Sequence, residues 1–418
     1  MIIDLALAGS VRLIGALSLF CLTMVVAHRL EADEAGYFFL GFNIVIFLST
    51  AARVGLDQIV LRLTSVAQAE ELGTRIRQCL VKALGVAGVA AVLIALCLWL
   101  GADWLAVAVL KKPAVAPVLK AIAPSIVGCA LLMLIAMSLQ GIRRISTSVF
   151  VSHIALNLLV ILFLLTSTQA DAVAAAHGYS VMSVAAAVAC FALWRAYAGK
   201  FPRAGAITLA ELTQSCMPLW IFMLMSQLVL WSGQIMAGAW VEPSEIALLS
   251  VAQRTAMVIS FAHMAMNLVI APKFAELYSH GKSQELEKLA LRATLVMVVL
   301  TVPVAVVILL APQFIMSLFG EFYSSGATLL QILTIGQLIN VVTGPVNYLL
   351  TMCGHDRDMR NVMLVTGPTA VILGLLLIPT FGAAGCAVAT TTAIATQNIL
   401  AAWLVKQRLG FNTLAFWR

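Results

Sequence analysis

Three arginines stand inside long apolar runs: Arg12, Arg53 and Arg254. A guanidinium at the centre of a transmembrane helix costs about 2.5–3.5 kcal/mol on insertion scales. Each must therefore reach water, a partner or a membrane surface. Arg254 lies about ten residues into its run, near mid-membrane at a rise of about 1.5 Å per residue, and predicts a water-filled cavity. Arg12 and Arg53 lie one to two turns from the ends of theirs, where snorkelling to the surface is a competing account. Arg53 and Asp57 are spaced i,i+4 and can neutralise each other. With Ser49 they make one polar stripe. The planar donor fork of arginine matches phosphate oxygens, so arginines lining a cavity predict an anionic cargo. Asp57 is the one clear carboxylate within a run, whereas an exporter of cationic compounds would want acids along its path.

Uncharged polar side chains accompany the arginines. Trp220, Gln227, Trp231 and Gln234 recur at helical spacing, as do Gln337, Asn340, Gly344, Asn347 and Thr351, and a third set is Ser260, His263 and Asn267. Amides beside aromatic rings can bind sugar hydroxyls and stack on pyranose faces. Gln227, Gln234, Asn340 and Asn347 thus join Arg12, Arg53 and Arg254 as candidate substrate-binding residues. The alternative is interhelical hydrogen bonding, worth about 0.6 kcal/mol each in membrane bundles. Asp57 and His263 are the candidates for coupling to a proton or sodium gradient, against the plainer reading of a packed histidine, which also applies to His153. Pro124, Pro218, Pro303, Pro345 and Pro368 lie within runs and predict kinks. The eight cysteines are scattered without CxxC or metal spacing and read as packing residues. Gly281-Lys282-Ser283 lacks the upstream glycine of a phosphate-binding loop, since position 276 is Glu. No HExxH, GxSxG or carboxylate pair suggests an enzyme, and no cofactor or metal is expected.

The elements that position these residues follow from composition. Of 418 residues only 10% are charged and 62% are hydrophobic, with mean hydropathy +1.04. A soluble fold could not cover its surface with so few charges. The reading is an all-α polytopic membrane protein of about twelve transmembrane helices, spans 1 to 12: 5–28, 36–60, 80–101, 116–139, 147–168, 172–195, 214–240, 246–270, 291–311, 326–351, 361–379 and 384–406. The first run, 5–27, is too long for a cleaved signal peptide and reads as span 1. With both termini cytoplasmic, 18 of the 25 basic residues fall on the inner side and 4 outside, as the positive-inside rule demands. The net charge of +7 is then loop charge rather than a nucleic-acid footprint. The chain also repeats weakly at an offset near 211: 27–42 parallels 237–252, 62–76 parallels 273–289, and 140–144 parallels 353–357. Six helices per half make this a parallel repeat, a transporter architecture. The expected domains are two six-helix bundles, 1–200 and 201–418, joined by a linker around 196–212.

Residues 27–62, an acidic turn leading into a span that ends in Arg-x-Gly-Leu, resemble bacterial polysaccharide exporters of the O-antigen flippase type. These belong to the multidrug/oligosaccharidyl-lipid/polysaccharide (MOP) superfamily. Residues 270–289, 318–333, 344–357 and 378–390 resemble later landmarks of that family, in order. The resemblance implies two six-helix bundles in a V around a cavity. It implies translocation of an undecaprenyl-diphosphate-linked oligosaccharide across the bacterial inner membrane, alongside a polymerase and other polysaccharide-assembly proteins. Related lipid II flippases use cavity arginines on spans 1, 2 and 8, the spans of Arg12, Arg53 and Arg254. The alternatives are a cation-coupled drug antiporter of the same superfamily, disfavoured by the scarcity of acids, and a major-facilitator transporter, whose Gly-x-x-x-Asp-Arg signature is missing after span 2. A membrane-embedded glycosyltransferase or polymerase would want a large outer loop.

Overall fold

The computed structural model describes residues 2–167, 171–199, 205–214 and 216–415, with backbone alone at 2–13, 16, 262, 264, 265, 268 and 269. Among these residues every regular element is helical. Among the described residues nine helices are long and apolar enough to cross a membrane. The last of them, Asp356–Leu409, is two helices: Gly382 has φ 57° and ψ −135°. Were it continuous, Asp358 and Arg408 would lie about 75 Å apart. Instead the Arg408 guanidinium clasps Asp358 with both oxygens, at 2.7 and 3.1 Å. The chain doubles back at Gly382, and a Cβ on Gly385 would strike the Leu377 carbonyl. The first helix, Ile2–Arg29, and the interrupted run Pro243–Ser279 bring the crossings to twelve. Leu100, Val188 and Leu310 turn outward, an apolar exterior that suits lipid rather than water.

The chain forms two compact units, Met1–Leu224 and Met225–Arg418. The division falls inside the helix Cys216–Trp240, beyond the linker expected around 196–212, of which residues 200–204 lie outside the described residues. The first turns of that helix pack within the first unit: Trp220 Nε1 donates to the Ala51 carbonyl at 2.9 Å.

Backbone geometry repeats at the offset read from the sequence. Helices begin at Ala32 and Pro243, each after a glutamate cap in extended conformation, Glu31 (φ −60°, ψ 157°) and Glu242 (φ −60°, ψ 151°). The acids Asp33, Glu34 and Glu245 fill the first turns, where the helix dipole favours negative charge. Left-handed turn residues stand at Glu71 and Gly281, then at Arg143 and Gly354. The residues that follow each, Leu72 and Lys282, then Arg144 and His355, share conformations. The weak sequence repeat is therefore a repeat of turns.

Several spans are interrupted where the sequence reading made them continuous. Span 2 ends at Ala52 and resumes as Leu56–Ala69, because Val54 (φ 50°) and Gly55 (φ 75°) are left-handed. Span 8 consists of Pro243–Ala256, a 3-10 turn Met257–Ile259, and Ser260–Ser279. Span 10 breaks between Val342 and Val346, at left-handed Gly344 and at Pro345, where the sequence predicts a kink. Span 5 is helical from Ile145 to Thr166 with a π-helical turn at Val151–Ala155, and its expected end at 168 lies outside the described residues.

Candidate functional site: buried arginines at interrupted spans

Arg53 caps the helix Ala32–Ala52 at its C-terminus, the end where a cation is stabilised by the dipole. It is 9% exposed. Its Nε donates to Asp57 Oδ2 at 2.8 Å and its Nη2 to Thr50 Oγ1 at 2.9 Å. The i,i+4 pairing is present, although the two residues sit on either side of a helix break rather than on one continuous face. Asp57 occupies the first turn of Leu56–Ala69, also favourable for its charge. Its other oxygen, Oδ1, is buried without a hydrogen bond. The break is held against span 7: a Cβ on Gly55 would lie 2.6 Å from the Cys216 carbonyl and 2.7 Å from the Trp220 amide nitrogen.

Arg254 lies in the last turn of Pro243–Ala256, just before the 3-10 turn, and is 4% exposed. Its helix supplies the same C-terminal dipole but no acid: none occurs between Glu245 and Glu276. Beside it the amide Gln253 joins Gln234 and Ser250. Gln234 Nε2 donates to Gln253 Oε1 at 2.7 Å, Ser250 Oγ donates to Gln234 Oε1 at 3.2 Å, and Gln253 Nε2 donates to the Leu230 carbonyl at 2.9 Å. Gln234 is fully buried in this network, and Gln227, two turns earlier on the same helix, is partly buried. Gln253 and Ser250 were not singled out from the sequence. A polar pair inside an apolar run next to Arg254 was the available signal.

Below the turn, Ser260 donates to Gln337 Oε1 and accepts from Asn340 Nδ2 at 3.5 Å, so spans 8 and 10 meet through their polar faces. His263 Nδ1, both amide atoms of Asn267, and Asn347 Oδ1 are buried without hydrogen-bond partners. Of the coupling candidates, Asp57 is held by Arg53 and His263 stands in this second cluster. Arg12 lies on Ile2–Arg29, and its side chain is outside the described residues. The candidates thus fall into three groups. Arg53 and Asp57 belong to the first unit. In the second unit, Gln234 accompanies Arg254, and Asn340, Asn347 and His263 lie between spans 8 and 10. Among the described residues no group of His, Cys, Asp or Glu is arranged to hold a metal ion.

Twelve membrane-crossing helices among the described residues, a repeat of backbone turns and buried cations at broken spans are the features of a multi-pass membrane protein, and the comparisons make it a transporter or flippase. The comparisons place it in the MOP superfamily. The family model for polysaccharide biosynthesis proteins matches residues 5–278, and the MatE model matches residues 218–380. The chain belongs to the polysaccharide biosynthesis protein family. A stretch of 161 residues is 24% identical to an uncharacterized membrane protein of Methanocaldococcus jannaschii, covering 38% of this chain and 32% of that protein. The match thus spans about a third of that relative's length. In fold, the chain is similar to an inward-facing multidrug resistance MATE family transporter of the MOP superfamily (TM-score 0.74, 14% identity, covering 96% of this chain and 98% of that one). It is also similar to the lipid II flippase MurJ in an inward closed conformation (TM-score 0.69, 12% identity, covering 97% and 88%).

Proposed function

We propose that this protein is a flippase that carries an undecaprenyl-diphosphate-linked oligosaccharide across a bacterial inner membrane by alternating access, for O-antigen, capsule or exopolysaccharide synthesis. The observation that carries the reading is Arg254: a guanidinium buried at mid-span with no Asp or Glu between Glu245 and Glu276, at the two ends of its span. A fixed cation in such a place favours an anionic cargo, and its fork geometry suits a diphosphate. Family membership supports the same cargo. The termini face the cytoplasm on this reading, the partners are the lipid-linked glycan, membrane lipids and a polymerase, and the work is transport rather than catalysis. A proton or sodium gradient would drive the cycle.

Arg254→Ala should abolish export of the cognate glycan in a deletion strain while leaving the protein in the membrane. Full complementation by that variant overturns the assignment. The second reading, a cation-coupled drug antiporter, draws on the MatE match over residues 218–380 and the MATE-like fold. It predicts raised drug susceptibility in the deletion strain with normal surface polysaccharide.

A further inference from the structure

We infer that Asn267, Asn347 and His263 form an uncharged subsite in the second unit that reads the hydroxyl and amide groups of the glycan, apart from the arginine that meets the diphosphate. This rests on the lipid-linked-glycan reading above. Ser260, His263 and Asn267 are spaced i, i+3, i+7 and share one face of Ser260–Ser279. Ser260 fixes where that face points, because it bonds both Gln337 and Asn340 of span 10. Spans 8 and 10 run in the same direction, being two crossings apart. The helix Ser260–Ser279 also packs against Val346–Met352, the part of span 10 beyond its break that carries Asn347. Asn267 and Asn347 therefore stand on neighbouring helices.

The bonding state of these side chains separates a ligand site from helix glue. In the same unit, Gln234, Gln253 and Ser250 satisfy one another. Asn267 is 1% exposed, yet neither its Oδ1 nor its Nδ2 is bonded. Asn347 Oδ1 and His263 Nδ1 are buried in the same condition. Leaving such groups unpaired is costly, and membrane spans tolerate it least. Carboxamides and an imidazole offer both donors and acceptors. A carboxylate would find acceptors it cannot use, and a cation would find donors it cannot use. A sugar hydroxyl or acetamido group uses both. Along span 8 the cluster begins about 14 Å from Arg254 and reaches Asn267 at about 20 Å, a spacing that holds a charged head at one end and sugars at the other.

Asn267→Leu tests this, since it keeps the branching and heavy-atom count of the side chain and replaces its polar atoms with methyls. Binding would be measured in lipid nanodiscs with two probes: bare undecaprenyl diphosphate, and the lipid-linked glycan accumulated by a strain lacking this gene. The expected result is an unchanged or raised Tm, unchanged affinity for the bare lipid, and a loss on the order of tenfold to a hundredfold for the glycan-bearing lipid. Asn347→Leu should act in the same direction. Equal losses for both lipids, or no loss for either, would overturn the subsite while leaving the cargo assignment intact. Failure of the unaltered protein to bind either lipid would instead remove the cargo reading, and the subsite with it.

Discussion

Spans 2 and 8 occupy equivalent places in the two halves, begin with the same glutamate cap, and are both interrupted behind a buried arginine. They differ in depth and in charge. Arg53 comes 21 residues after the start of its helix and Arg254 only 11, about 32 Å and 17 Å along the axis. The offset of 211 pairs Arg254 with Asn43, fully buried in span 2, and pairs Arg53 with Met264. The two arginines are therefore not copies of one ancestral position. Arg53 is neutralised by its own neighbour four residues on, and Thr50 takes part of the rest. Arg254 has no acidic residue in its own span between Glu245 and Glu276. One broken helix closes its charge on itself, and the other carries a buried charge with no acid near it in sequence. A half-helix end inside the membrane is thus a structural joint in one unit and a candidate site in the other.

The largest effect should come from opening the closed break. Asp57→Ala leaves Arg53 buried without its carboxylate, and removing one partner of a buried pair costs about 3–5 kcal/mol. Thermal unfolding in nanodiscs should show a marked fall in Tm, whereas the double variant Arg53→Met with Asp57→Leu should return most of it. If Asp57→Ala unfolds at the parent temperature, the pair is not what holds the break. The next effect is backbone. Gly55→Ala places a methyl against the Cys216 carbonyl and the Trp220 amide at a left-handed φ, and should cost about 1–3 kcal/mol. At the span 8 break the residues around the turn, Ala256, Met257 and Ser260, all have ordinary right-handed conformations. Met257→Ala should therefore cost clearly less, read by the same melt.

Much of this was legible because charges are scarce. The twelve spans, the repeat offset and the Arg53–Asp57 pairing follow from where a few polar residues interrupt apolar runs. The span 2 break did not show, because its left-handed pair includes Val54, a β-branched residue with no local preference for positive φ. Tertiary contact with Cys216 and Trp220 imposes it, and no pattern within span 2 reports on residues more than 160 positions away. The roles of Gln234 and Asn267 also escaped pattern reading. Both are single amides in apolar runs, and only packing decides that one finds Gln253 while the other is left open. The hairpin at Gly382 was expected as a boundary between spans 11 and 12, since Pro379, Gly382 and Gly385 cluster there.

The smallest effect lies in the turns that repeat. At equivalent places the first unit uses Glu71 and Arg143 in left-handed conformations where the second uses Gly281 and Gly354. A non-glycine residue pays roughly 1–2 kcal/mol there, so the first unit carries strain that the second avoids. Gly281 makes the cleaner probe, because a Cβ on it meets nothing within 4 Å, and Gly281→Ala changes backbone preference alone. It should destabilise by about 1 kcal/mol. Glu71→Gly should stabilise by a similar amount, reduced by the extra freedom glycine gives the unfolded chain. Opposite shifts of Tm for the two substitutions would show that the repeat is one of backbone geometry, kept by different residues in each half. Shifts of the same sign would mean that the two turns are held by their surroundings and that their matching angles carry no common energetic origin.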